Sequence, residues 1–296
     1  MNIKKGIMFA NILAFVMMGI TQLLGPEPGV FVYAEFVILP LLMGVVISWC
    51  WRNLNLSSKQ LIGYAFLTGF TGIALSAIFL GEGVICLIIV SPLIFSFIIA
   101  GAFLGRVMFR RNNKALNVNI ISLLFVLFIV DSLSNHHYEN LVSDKVVINA
   151  KPSEVWKYVV SFDKIPGEDD YWLFKVGMPS PAQATVSGYY QGAGRKCIFS
   201  NGYVFDEVMT TFIPNKDLTF EIINQPKDPE IMSHIDILKG QFILEDNGNG
   251  TTTLIGNSWY RLHVFPIWYY DLWAESITRN VHLKVMKNIK ALSESR

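Results

Sequence analysis

Apolar residues fall into five long stretches in the first 133 positions: 7–24, 30–49, 61–80, 84–104 and 118–133. At about 1.5 Å per helical residue, each reaches or nearly reaches across a bilayer core of roughly 30 Å. Beyond Ser134 the pattern changes to short β-type runs separated by turn residues, with one long amphipathic stretch at the end. The expected organisation is therefore a transmembrane domain over 1–133, a linker over 134–143 and a second domain over 144–296.

Charge sharpens the first half. Lys4 and Lys5, then Arg52 and Lys59, then Arg106, Arg110, Arg111 and Lys114 occupy alternate gaps between the apolar stretches. The intervening gaps, 25–29 and 81–83, carry Glu27 and Glu82 and no cation. That alternation is the positive-inside pattern of a chain whose N-terminus is cytoplasmic, and five crossings would leave the C-terminal domain extracytoplasmic, in a bacterial cytoplasmic membrane by expectation. The fifth stretch is the one on which that placement turns, because Asn119 and Asp131 bracket its strictly apolar part. The first stretch is too long for a signal-peptide core and lacks a small-x-small cleavage site, so it reads as an uncleaved helix.

Small residues, notably Gly101-x-x-x-Gly105, predict close helix packing, and Pro40 and Pro92 predict kinks. Glu35 and Asp131 are the acidic residues inside the stretches, each near a helix end, where snorkelling to the interface is expected.

Composition agrees with this division. The chain is 52% hydrophobic, too apolar for an ordinary water-soluble protein. Of its 24 Lys and Arg, 8 precede residue 134, and of its 23 acidic residues, 4 do, so the second half carries 16 cations and 19 anions. A balance near −3 gives no electrostatic basis for nucleic-acid binding. Three cysteines, two of them in apolar stretches, imply no disulfide framework.

In the second half, Asp144–Asn149 reads as a strand and Pro152 as the opening of a helix with Val155, Trp156 and Val159 on one face. Six β-type runs follow: 184–190, 196–200, 203–212, 218–224, 235–244 and 252–264. Asn201-Gly202, Pro214-Asn-Lys-Asp and Asp246-Asn-Gly-Asn-Gly mark the turns between them. Residues 271–292 form the amphipathic stretch, with Trp273, Ile277, Val281, Val285, Ile289 and Leu292 as its apolar stripe. The predicted fold class is a multi-spanning α-helical membrane domain followed by an α+β helix-grip domain, a curved antiparallel sheet wrapped round a long C-terminal helix.

Asp144–Trp156, Gly194-Arg-Lys-Cys-Ile-Phe-Ser-Asn-Gly with Phe205-Asp-Glu-Val, and the closing Val285-Met-Lys-Asn-Ile-Lys-Ala-Leu resemble the START-like, Bet v 1-like (SRPBCC) superfamily, in particular its polyketide cyclase/dehydrase and lipid-transport branch. The resemblance covers roughly 142–293 and leaves out the membrane half. It implies an apolar cavity between sheet and helix and a lipid, sterol or other hydrophobic ligand. A minority of such proteins are cyclases or related enzymes. No catalytic motif is common to the superfamily, so the resemblance assigns no catalytic residue.

No nucleotide, hydrolase or metal motif stands in the chain, and neither a cofactor nor a metal is expected; His136-His137 reads as a linker pair. Candidate ligand contacts are Arg195, Arg261 and His263, with Trp172, Trp268, Tyr269 and Trp273 as rings for a cavity mouth or a bilayer surface. Arg261 and His263 alternate with Asn257 and Trp259 on one face of the last strand, which is either the inner face or the solvent-facing back of the sheet. Three functions remain open: a membrane-anchored binder of a lipid or hydrophobic small molecule, a non-catalytic module regulating an unidentified membrane partner, and a cyclase- or hydrolase-like enzyme.

Overall fold

The computed structural model describes residues 2–24, 33–79, 83–110, 114–134, 136–167, 170–226 and 234–295. Pro26, Glu27, Pro28 and Glu82, in the gaps expected to carry no cation, and the cation Arg111 lie outside the described residues. The chain divides into two compact units. One comprises the chain up to His136 together with His234 and His263–Tyr270; the other comprises the rest of the second half.

The first unit is helical: α1 (Ile3–Leu24), α2 (Leu39–Trp51), α3 (Ser58–Phe79), α4 (Val84–Arg110) and α5 (Lys114–Ser132). Four described spans, Ile3–Thr21, Ala34–Trp51, Ser58–Phe79 and Val84–Arg110, are long and apolar enough to cross a membrane, and Val118–Ser132 is a shorter apolar helix. Large apolar side chains such as Phe70, Ile78 and Phe79 lie on the outside, as they do where lipid is the solvent.

Inside the unit, α2 and α4 meet backbone to backbone. A Cβ on Gly44 would lie 2.2 Å from the Ile98 carbonyl oxygen, and one on Gly101 would lie 2.1 Å from that of Leu41. Ser48 donates to the Ala102 carbonyl oxygen at 2.6 Å across the same contact. The small residues of α4 therefore set how closely the two helices approach.

The snorkelling expected of the two intramembrane acidic residues is corrected by their partners. Glu35 does not snorkel: it is 5% exposed, sits in a π-helical turn (Ala34–Ile38) and accepts a hydrogen bond from the Thr21 hydroxyl at 2.5 Å. Asp131 accepts the Ala34 N–H at 2.5 Å and pairs with His136 at 3.1 Å. A buried carboxylate in an apolar bundle needs such partners, because desolvation without them is costly. Pro40 lies inside the continuous helical span Ala34–Trp51, directly after the π-helical turn Ala34–Ile38, the kind of wider turn at which helices bend.

The second unit is a seven-stranded antiparallel sheet in the order β1-β7-β6-β5-β4-β3-β2. Its strands are β1 (Tyr138–Ile148), β2 (Pro181–Val186), β3 (Gly194–Phe199), β4 (Val204–Ile213), β5 (Asp217–Asn224), β6 (Ile235–Asp246) and β7 (Thr252–Leu262). Between β1 and β2 the chain crosses from one edge to the other through α6 (Pro152–Val160) and α7 (Trp172–Lys175); α8 (Ile267–Glu294) closes it. β1 begins before the run at Asp144, because residues from Tyr138 onward pair with β7 in register Tyr138↔Leu262. Register shifts at Asp206/Glu207, Met209/Thr211 and Ile237/Lys239 are bulges, which add twist and bend the sheet.

The apolar core of this unit joins Ile148, Val159, Met209, Leu254, Met286 and Ile289, all essentially sealed from solvent. The stripe expected on α8 is displaced. Val285 and Ile289 are buried as expected, but toward the N-terminal end the buried residues are Ala274, Thr278 and His282, while Trp273, Ile277 and Val281 are half-buried. A spacing of four drifts across the face of a helix with 3.6 residues per turn, which is why the stripe read from sequence and the buried line diverge.

Gly101→Val should force α2 and α4 apart and cost on the order of 1–3 kcal/mol, as overpacking does. Thermal unfolding of the detergent-solubilised protein would show it, with Gly63→Val, where nothing lies within 4 Å of the added Cβ, as the near-neutral control.

Candidate functional site

The concave face of the sheet is fixed by register. Val142, Asp144 and Val146 on β1 pair with Ser258, Gly256 and Leu254 on β7, and Phe242 on β6 pairs with Gly256. Because side chains alternate, the even-numbered residues of β7 look toward α8, and Asn257, Trp259 and Arg261 look away.

Toward the C-terminal end of α8, the space between helix and sheet is filled by the apolar core. Toward its N-terminal end the contacts are polar. His282 Nε2 is hydrogen-bonded to Ser258 Oγ, and its Nδ1 lies 3.3 Å from Asp144 Oδ2. Arg279 Nε lies 3.1 Å from the other oxygen of Asp144. Asp271, near the start of the helix, accepts from the Tyr260 hydroxyl at 2.5 Å, the Tyr138 hydroxyl at 2.9 Å and Asn140 Nδ2 at 3.2 Å. Further along, Lys284 Nζ donates to Ser180 Oγ at 2.7 Å, and Tyr171 Oη lies 3.1 Å from Ser276 Oγ.

A second buried polar group lies on β3 and β4. Arg195 and Glu207 are register partners, 3% and 5% exposed, and are joined by a direct ion pair. The guanidinium also donates from Nε to the Val160 carbonyl oxygen at 3.3 Å and lies 4.5 Å from the centre of the Phe220 ring. Burial pushes the Glu207 carboxyl up and the positive charge of Arg195 opposes it. On the same strand as Arg195, burial pushes the Cys197 thiol up to about 12, which makes it a poor nucleophile near neutrality. Burial lowers the His282 pKa below its ordinary 6.5, against the pull of Asp144, so desolvation outweighs the carboxylate. Tyr138 is pushed up to about 12 by burial and by its bond to Asp271.

The candidates singled out from sequence do not assemble into one site. Trp172 and Trp273 come together, ring centres 6.4 Å apart at 66°, with Tyr171 and Phe174 packed edge-on beside them. Trp172 remains 47% exposed. Arg195 is held in its ion pair inside the sheet. Arg261 is on the outward face and pairs with Glu139 at 2.6 Å. His263 follows the end of β7, its N–H bonded to the His234 carbonyl oxygen at 2.9 Å. Trp268 and Tyr269 belong to the helical unit, where the Tyr269 hydroxyl donates to the Ile89 carbonyl oxygen and the Trp268 ring is exposed.

Glu207, Asp144, Ser258 and Asp271 were not singled out from sequence. The available signal was alternation: Glu207 sits between Phe205 and Met209, both apolar, at a period of two. In the helical unit, Gln60, Gly63, Tyr64, Phe66, Leu67 and Phe70 of α3 line an open, apolar groove of about 530 Å3.

A curled antiparallel sheet gripping a C-terminal helix, with two short helices between its first two strands, settles the fold of the second unit. That unit has a helix-grip fold. No protein-family model matches the chain, and no curated protein matches it. Among solved structures, truncated norcoclaurine synthase from Thalictrum flavum is similar at 10% identity, over 55% of this chain and 98% of that one, with a TM-score of 0.39. A START superfamily protein from Mycobacterium smegmatis is similar at 12% identity over 54% and 99%, TM-score 0.38. The Zhui aromatase/cyclase from Streptomyces sp. R1128 is similar at 11% over 54% and 96%, TM-score 0.38.

The buried polar groups of the helix-grip unit generate two predictions. Glu207→Ala leaves Arg195 buried and unpaired and should cost about 3–5 kcal/mol, whereas the double change Arg195→Met/Glu207→Leu should cost much less; chemical denaturation compares the two. The depressed His282 pKa means the unfolded chain takes up its proton first. Its contribution to stability is therefore complete above 6.5 and is lost as pH falls from there toward the folded value. Melting temperatures across that range should fall in the wild type and flatten in His282→Gln.

Proposed function

We propose that the START-like unit binds a lipid or another hydrophobic small molecule between its sheet and α8, and that the apolar helices hold it at the bilayer that supplies the ligand. One observation carries this reading: the Trp172–Trp273 pair, where α7 meets α8. Two large rings that are not sealed into the core stand next to the part of the grip helix whose contacts with the sheet are polar. Rings so placed offer an apolar ligand a passage along the helix. The half-buried Ile277 and Val281, one and two turns beyond Trp273 on α8, continue that apolar line.

On this reading the unit is extracytoplasmic. The cations alternate between gaps, and α5, at roughly 28 Å for its helical length, makes the fifth crossing. Binding and presentation, rather than chemistry, is the primary role; transfer between membranes would follow if the loaded unit reached a second bilayer.

The full-length protein should carry a lipid or apolar metabolite at near one-to-one stoichiometry when released from detergent micelles into a native mass spectrometer. Trp172→Ala/Trp273→Ala should lower occupancy by about tenfold, roughly the 1–1.5 kcal/mol of a lost aromatic contact, with an unchanged melting profile. A wild-type protein that arrives empty, and stays empty after incubation with mixed phospholipid, sterol and fatty-acid vesicles, contradicts the proposal.

A further inference from the structure

The contact of α8 with β7 and β1 has an order that packing alone does not require. Ser258 Oγ meets His282 at Nε2, and the carboxylate of Asp144 meets the same ring at Nδ1, 3.3 Å away. An ionised carboxylate only accepts, so the Nδ1 proton points to Asp144 and Nε2 keeps a lone pair for the Ser258 hydroxyl. That is the tautomer and sequence of contacts in which an imidazole acts as base toward a serine. Arg279 holds the second oxygen of Asp144 at 3.1 Å and is itself braced by Glu275 at 2.8 Å, so the carboxylate is fixed in orientation. His282 is 6% exposed and is kept neutral near pH 7 by burial, while Ser258 is half-buried and not sealed in the core.

We propose that Ser258 is a nucleophile toward acyl esters, with His282 as its general base and Asp144 as the positioning residue for the imidazole. This rests on the proposed binding reading for its substrate class, an ester with a hydrophobic acyl chain. Ser258 Oγ attacks the ester carbonyl carbon as its proton passes to His282 Nε2. The C–O bond to the alcohol then breaks, and the leaving oxygen takes the proton back from His282. Water enters, gives a proton to Nε2, attacks the acyl-serine carbonyl and releases the carboxylic acid, restoring the Ser258 hydroxyl. No oxidant, reductant or cofactor takes part.

The test uses the full-length protein in detergent micelles with an alkyl fluorophosphonate and with p-nitrophenyl acyl esters. The expected result is one phosphonyl adduct, located on Ser258 by peptide mass spectrometry and lost in Ser258→Ala. His282→Gln should slow both adduct formation and ester turnover by at least about 10²-fold, the scale of general-base catalysis. Asp144→Asn should lower kcat by about 10²–10⁴-fold with KM and melting temperature little changed, which a purely structural carboxylate would not do. An unlabelled wild type of intact fold overturns the proposal, as does labelling that proceeds at the wild-type rate in His282→Gln. Native mass spectrometry on the same preparation separates the two readings. Bound lipid without an adduct overturns the nucleophile alone, and an adduct without bound lipid supports the nucleophile while contradicting lipid storage.

Discussion

The helix-grip unit depends on one burial: the last turns of α8 against the concave sheet. Val285, Met286 and Ile289 enter the same cluster as Ile148, Met209 and Leu254, which come from three different strands. Met286 packs over Gly256, where a Cβ would come within 2.9 Å of its sulfur, so the strand has no side chain at the place the helix approaches most closely. Fully burying a side chain of this size is worth about 1.5–3 kcal/mol, so the cluster outweighs the polar contacts farther along the helix. The sheet stays curved because the helix fills it at this end.

From that anchor the rest of α8 is free to be different. Between Asp271 and His282 the helix meets the sheet through hydroxyls, carboxylates and an imidazole. Each of those contacts contributes roughly 0.5–1.5 kcal/mol net, more where a charge is involved. On the proposed function, the ligand enters at this polar end of the helix.

The order of elements was legible in the sequence because period and turn residues are local signals. Asn201-Gly202, with Gly202 at φ 87°, and the glycines of the β6–β7 turn fix the hairpins. Hydropathy made the helices of the first unit equally plain. The polar interior was not legible, because its pairs are made by register and by fold. Arg195 meets Glu207 only once β3 and β4 are aligned, and Asp144, Ser258 and His282 arrive from β1, β7 and α8. Glu35 likewise finds Thr21 on another helix. Trp268 and Trp273 look like one aromatic run in the sequence, yet five positions of helix separate their roles: Trp268 falls in the helical unit and Trp273 in the helix-grip one.

On the proposed function an apolar ligand occupies the space between the sheet and α8. The most direct measurement places the full-length protein in bilayers containing a diazirine-bearing fatty acid or phospholipid, irradiates them and maps the adducts by peptide mass spectrometry. Adducts are expected on α8 around Trp273, Ile277 and Val281 and on the facing strands. Adducts confined to the apolar helices of the first unit would contradict it.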